Sequence, residues 1–195
     1  MFTTERLTLR AVVDADYDKL FELWNTEAVM RGAGANAYIV PYGAGQKEEL
    51  ERLANKSTMF AIIETKEENP TFVGMTRMHI LEPKNRDAEY GISFMPECWG
   101  KGYGTEVTAF MVNHAFMELG VHRVSLWAFG HNTAALALYK KIGFVEEGRK
   151  RKSIWVGGKW EDFILMGILE DEWVPLSQRQ EINVHGRNRS ISSKE

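Results

Sequence analysis

Residues 97–106 read ECWGKGYGTE, with glycines at alternate positions, Gly100, Gly102 and Gly104, directly after a strand-like stretch and directly before a helix-like one. At such a junction backbone N–H groups converge, the helix dipole is positive and no Cβ blocks a close approach, so the chemistry on offer is phosphate binding. Spacing removes two kinds of phosphate ligand. A P-loop requires G-x-x-x-x-G-K-[ST], which the chain lacks. A dinucleotide fingerprint requires G-x-G-x-x-G, but Thr105 stands where the third glycine belongs, and the next strand runs into Phe129, Gly130 and His131 instead of an acidic residue.

Other reactive side chains are scattered. Cys98 is the only cysteine, and Lys101 is the one nearby residue that would lower its pKa, so an acyl-cysteine route is not expected. His79 reads as a satisfied strand histidine and His114 as packing on the apolar face of a helix. His122 and His131 flank a strand without H-x-x-x-H or H-x-E spacing, so no metal site is expected.

These residues need elements to hold them. Arg6 to Val13 reads as a first strand, and Tyr17, Leu20, Phe21 and Trp24 recur at helical spacing after Asp14. From Thr26 to Gly45 no period holds, which predicts an irregular loop, followed by a short helix over Gln46 to Asn55. Met59 to Glu64, Thr71 to Leu81 and Glu89 to Met95 read as an antiparallel meander. After the glycine loop, Val107, Phe110, Met111, His114 and Ala115 predict a helix ending near Leu119, with Gly120 as its cap. His122 to Phe129 is the next strand, Thr133 to Ile142 a helix stopped by Gly143, and Phe144 to Glu147 with Trp160 to Leu169 a terminal hairpin. Residues 176–195 are polar and aperiodic and read as a mobile tail beyond a domain of 1–175.

At 195 residues, 44% hydrophobic and 26% charged, the chain suits one domain with a proper core. Net charge is −3; residues 1–100 carry 11 basic against 16 acidic side chains and residues 101–195 carry 13 against 11, so the basic surplus lies with the glycine loop. It is too small to imply a nucleic-acid partner. No apolar run approaches membrane-spanning length, the start MFTTERLTLR lacks the core of a signal peptide, and a lone cysteine fits a reducing compartment, so a cytoplasmic protein is expected.

Two segments in order, AEYGISFMPECWGKGYGTE and HNTAALALYKKIGFVEEGR, resemble the GNAT N-acetyltransferases, and within them the ribosomal-protein N-terminal acetyltransferases, with a further similarity to spermidine acetyltransferases. The opening TERLTLR and the ending GKWEDFILMGILEDEW extend the resemblance over residues 3–174. It implies an α/β (α+β) fold, a mixed, mostly antiparallel sheet of six to seven strands flanked by about four helices, and acetyl-CoA as cosubstrate without a metal. The coenzyme pyrophosphate would rest on Trp99, Gly100, Lys101, Gly102, Tyr103, Gly104 and Thr105, with Trp99 standing where the family usually has Gln or Arg. The pantetheine arm would pair with Ile92, Ser93 and Phe94, an N–H near Phe94 serving the oxyanion, and Asn132 and Lys141 would complete the cofactor path.

By the same resemblance Tyr139 is the acid that protonates the departing thiolate, a task a phenol with a pKa of about 10 can perform. Glu89 is the candidate base, and its plainer reading is a strand carboxylate paired with Arg77, Arg86 or Arg123. Arg31, Tyr38, Tyr42 and Trp155 would flank the acceptor. The basic run Arg149, Lys150, Arg151, Lys152 stands where spermidine acetyltransferases carry acidic residues, which disfavours a polyamine; it reads either as a solvated hairpin edge or as an attractor of an acidic substrate or the coenzyme's 3′ phosphate. The expected activity is direct acetyl transfer to a primary amine by a monomer or homodimer, the alternative a catalytically silent acyl-CoA sensor.

Overall fold

The computed structural model describes residues 1–33, 38–43 and 45–175. Alternation of side chains along extended backbone decides the layers. In Arg123–Phe129, Val124, Leu126 and Ala128 are buried on one face while Ser125 and Trp127 take the other. One sheet results, in the order β1-β2-β3-β4-β5-β6-β8-β7, from β1 (Phe2–Thr3), β2 (Leu7–Arg10), β3 (Met59–Thr65), β4 (Phe72–Ile80), β5 (Asp87–Phe94), β6 (Arg123–Phe129), β7 (Val145–Val156) and β8 (Lys159–Leu169). All neighbours are antiparallel except β5 and β6. That parallel step needs a crossover, which the glycine loop and α4 (Tyr103–Met117) supply.

Two cores sandwich the sheet. On one side α4 and α5 (Thr133–Ile142) bury Val107, Met111, Ala115 and Ile142 against Val124, Leu126, Ile164 and Met166. On the other, α1 (Tyr17–Trp24), α2 (Glu27–Ala33) and α3 (Gly45–Lys56) contribute Leu20, Leu23, Val29 and Leu50 over Ile62, Phe72 and Met75. The mixed α/β class is as the sequence implies.

Three details differ. The sheet has eight strands, not six to seven, because Phe2–Thr3 adds a two-residue edge on β2 (Phe2↔Leu9). A fifth helix, α2, occupies part of the stretch read as irregular: seven residues ending in Gly32 and Ala33 are too few for a period to show, and burial of Val29 and Met30 holds them. Strand β7 runs to Val156 instead of stopping at Glu147, since an edge strand exposed along most of its length has no alternation to read. The basic run lies on that edge, where Arg149 pairs with Glu146 and Asp162, and Lys152, at φ 50, marks a bulge closed by its N–H to Asp162 Oδ1 at 2.9 Å. The predicted tail, 176–195, lies outside the described residues.

One polar lock fixes where β5 and β6 meet. Arg123 Nε donates to Ser125 Oγ at 2.8 Å, Ser125 Oγ donates to Asp87 Oδ1 at 2.7 Å, and the Arg123 guanidinium grips both oxygens of Glu147 on β7. The pair crosses directly over Gly167 of β8, where a Cβ would come within 2.8 Å of Arg123 Cζ and of Glu147 Oε1. Gly167→Ala is therefore expected to cost about 1–3 kcal/mol, seen as a lower urea midpoint with unchanged slope; an unchanged midpoint means the pair moves aside freely.

Candidate active site

The site begins as a wedge. β5 and β6 pair only at Asp87↔Arg123, Ala88↔Val124 and Glu89↔Ser125, after which β5 stays with β4 up to Gly74↔Phe94 while β6 follows β8 up to Phe129↔Phe163. Beyond Glu89 the inner edge of β5 has no strand to bond. Antiparallel ladders alternate, and Met95 N–H donates to Val73 O at 2.9 Å, so the odd residues of β5 bond β4 and the even residues face the wedge. Ile92 and Phe94 thus present their amides there, whereas the backbone of Ser93 is turned to β4. The Phe94 carbonyl already accepts from Trp99 Nε1 at 2.9 Å. Trp99 therefore ties the glycine loop to the end of the strand, and its own N–H is bonded to Pro96 O at 3.0 Å.

The three glycines divide their labour. Gly100 and Gly102 have φ of 72° and 80°, a left-handed backbone that costs glycine little. Gly104 leaves space: a Cβ would lie 2.5 Å from Leu138 Cδ1, so with glycine there the first turn of α4 leans on α5 without moving that side chain. Thr105 N–H bonds back to Gly102 O at 3.1 Å, and no hydrogen bond among the described residues takes the N–H groups of Gly100, Lys101, Gly102, Tyr103 or Gly104. Five donors at a helix N-terminus make a ready anion nest. Of the seven residues assigned this role by resemblance, Trp99 and Thr105 spend their N–H within the chain.

Behind the loop stands a residue the sequence pattern did not single out. Arg6, between β1 and β2, donates from Nη1 to Lys101 O at 2.9 Å and from Nε to Glu106 Oε2 at 2.8 Å, while its backbone N–H reaches Glu106 Oε1 at 2.7 Å. Thr4 Oγ1 also bonds that carboxylate, and the Arg6 guanidinium lies 4.8 Å from the Tyr103 ring centre. Burial alone would raise the Glu106 pKa, but the hydrogen bonds from Thr4 and Arg6 outweigh it and hold the carboxyl below its ordinary value. The charged form therefore persists at any pH above the ordinary Glu value of about 4.3, and the contact loosens only as pH falls through the lowered folded value. The sole trace in the sequence is an arginine where the first strand is expected to begin; in the structure it lies just before β2, and its partner is 100 residues away.

Tyr139 is buried on α5 at 8% exposure with its ring edge-on to Phe144, 5.7 Å away, and its hydroxyl takes part in no hydrogen bond among the described residues. Burial pushes its pKa up to about 12. Tyr90, across from it, is pushed up further, first by burial and then by Tyr139, and bonds Thr108 Oγ1 at 2.9 Å. Asn132 caps α5 by accepting from Ala135 N–H at 3.1 Å, and its amide donates to Gly32 O at 3.3 Å. His131 Nε2 lies 2.9 Å from Arg31 O. His131 and Asn132, between β6 and α5, thus moor the end of α2. Lys141 is exposed on the last turn of α5.

Glu89 takes its plainer reading in part: Arg77 Nη2 donates to Glu89 Oε1 at 2.7 Å, with the guanidinium laid over Gly91. The same carboxylate lines an open cavity of about 330 Å³ on the face away from α4, together with Glu82, Asp87, Arg123, Ser125 and Trp127. Trp127 stacks on Phe163 at 4.7 Å and 12°, leaving a flat aromatic wall. Of its three carboxylates, Glu89 is paired with Arg77 and Asp87 lies 3.6 Å from Arg123, which is itself held by Glu147, so the wall keeps an acidic surplus.

Of the residues placed beside the acceptor by resemblance, Arg31 pairs with Glu27 and its Nη1 lies 3.8 Å from where a Cβ on Gly157 would stand, at the β7–β8 turn, so the end of α2 and that hairpin do approach each other. Trp155 stands on the hairpin, edge-on to Trp160 at 5.2 Å. Tyr42 is tied through its backbone to Asn25, and Tyr38 is 88% exposed; neither lines the cavity. Cys98 is buried, and burial pushes its thiol up, which makes it inert as a nucleophile.

Comparison with known proteins agrees with this geometry. The GNAT acetyltransferase domain matches residues 6–145. An uncharacterised N-acetyltransferase of Bacillus subtilis, YoaA, is 28% identical over 135 residues, covering 62% of this chain and 69% of that protein, and the uncharacterised N-acetyltransferase p20 of Bacillus licheniformis is 26% identical over 128 residues, covering 62% and 68%. Among solved structures, spermidine N-acetyltransferase from Vibrio cholerae, in complex with CoA and spermine, superimposes with a TM-score of 0.72 at 27% identity, over 85% of this chain and 96% of that one. A GNAT-family acetyltransferase from Bacillus anthracis gives 0.71 at 26% identity, over 87% and 98%.

Proposed function

This chain belongs to the GNAT acetyltransferases, and from that premise we propose that it moves the acetyl group of acetyl-CoA directly to a primary amine bound beside it. The observation that supports the reading is the wedge, with the even-residue amides of β5 along its side and, beside it in the chain, a glycine loop with five N–H groups that bond nothing among the described residues; Tyr139, buried on α5 with no hydrogen bond to its hydroxyl among those residues, is the proposed donor. The amides of Ile92 and Phe94 suit a pantetheine arm laid down as an extra strand, and one of them suits the oxyanion.

The amine enters from the cavity side, where Glu89 holds it and takes up or relays its proton. Its nitrogen bonds the thioester carbon, the carbonyl electrons move onto oxygen, and their return breaks the C–S bond. Tyr139 donates a hydrogen bond to the departing sulfur. With its pKa near 12, above a thiol's value of about 8.5, it stays protonated throughout, and the proton lost by the amine reaches the thiolate through solvent.

The acceptor is a protein N-terminus or a small amino compound. The acidic cavity wall favours a cation, while the basic edge of β7 remains a poor neighbour for a polyamine. No helix among the described residues is long and apolar enough to cross a membrane. A lone buried cysteine supports a reducing, cytoplasmic setting.

The test is thiol release from acetyl-CoA in the presence of peptides, amino acids, polyamines and aminoglycosides. Turnover above hydrolysis is expected with at least one of these amines. Tight binding of acetyl-CoA without turnover on any of them would mark the chain as a silent acyl-CoA binder.

A further inference from the structure

We infer that Arg6 is a positioning residue for acetyl-CoA: from behind the glycine loop it fixes the peptide that presents an N–H to the pyrophosphate. The inference rests on reading that loop as the pyrophosphate site.

The peptide plane links the two faces of the loop. In a trans peptide the C=O of Lys101 and the N–H of Gly102 point in opposite directions. Arg6 Nη1 holds that carbonyl at 2.9 Å, so the Gly102 N–H is turned away from Arg6. Gly102, left-handed at φ 80°, lets the bond on its side of the plane rotate easily, and Arg6 supplies an external hold on the plane's orientation. Arg6 is itself fixed: Nε and the backbone N–H bind the two oxygens of Glu106, Thr4 Oγ1 bonds the same carboxylate, and Tyr103 lies under the guanidinium. Glu106 sits in the first turn of α4, so the β1–β2 connection, the loop and the helix are set as one piece.

The charge of Arg6 is balanced by Glu106 at 2.8 Å. Its contribution is therefore orientation of a donor more than bulk attraction of an anion.

A substrate without the pyrophosphate separates this role from a structural one. S-acetylpantetheine keeps the thioester and the arm and lacks the group the loop holds. In wild type, acetyl-CoA is expected to be used with a much higher kcat/KM than S-acetylpantetheine, with any amine that supports turnover. Arg6→Ala is expected to lower kcat/KM for acetyl-CoA about tenfold, through KM, and to leave S-acetylpantetheine within twofold. Arg6→Lys keeps charge and reach but cannot hold Glu106 and Lys101 O together, so it shifts the same way by less. Should Arg6→Ala fail to fold, Arg6→Lys and Glu106→Gln carry the comparison, with S-acetylpantetheine turnover as the measure of intact protein.

An equal loss on both substrates overturns the inference and makes Arg6 a structural residue, with the loop reading intact. If wild type shows no preference for acetyl-CoA over S-acetylpantetheine, the loop reading itself fails. Unchanged KM for acetyl-CoA in all three variants also overturns the inference.

Discussion

Tyr139→Phe is expected to lower kcat by about 100-fold while leaving the affinity for acetyl-CoA within about twofold. The substitution removes one oxygen from a ring that is otherwise packed against Phe144, so the fold has little to lose. The hydroxyl makes no hydrogen bond among the described residues, so no partner is orphaned by its removal. What disappears is the donor that the proposed mechanism sets against the sulfur as it takes on charge. The pH profile gives a second readout. Because burial raises this phenol to about 12, wild-type activity is expected to climb as the acceptor amine loses its proton and to show no falling limb from Tyr139 below about pH 11. A Phe variant with full kcat would remove Tyr139 from the departure of the sulfur. An alkaline limb near pH 10 that vanishes in that variant would show a far less buried phenol.

Gly74→Ala is expected to be the most damaging glycine-to-alanine change among the described residues. Gly74 pairs with Phe94 across β4 and β5, and a Cβ there would overlap the Ser93 carbonyl oxygen and come within 2.8 Å of Phe94 Cα. Both contacts are with backbone, so no rotamer change relieves them. The strands must part where β5 carries its wedge-facing amides. Overpacking of this kind costs about 3 kcal/mol or more, and much of it falls on the edge proposed to hold the pantetheine arm. A lower urea midpoint together with a higher KM for acetyl-CoA is the expected pair of results. Loss of stability with KM unchanged would mean that β5 keeps its line and β4 alone yields.

Much of this site is legible along the chain because its parts are local. The anion nest needs only a strand end, glycines free to take positive φ and a helix start, all within 97–106. The helix that carries Tyr139 announces itself by its own period and by Gly143 at its end. Mixed α/β architecture follows from strands alternating two by two and helices closing every three to four. The short elements escape for the same reason: β1 and α2 are below the length at which a period can show, and β7 lies at an edge where both faces are wet.

Tertiary structure alone decided the rest, because the contacts concerned join residues that no window spans. The sequence marked the glycines without separating their tasks; Gly104 is explained by Leu138, and Gly74 and Gly167 by a carbonyl and an ion pair from other strands. It offered Glu89 three arginines, and cross-strand register chose Arg77. Resemblance pointed Asn132 at the cofactor, and packing made its amide a mooring for α2 through Gly32 O. Arg6 had no meaning until β2 came to lie beside α4. Local rules fix what a segment can present; which neighbour completes it is set by strand order and register, and those are properties of the whole sheet.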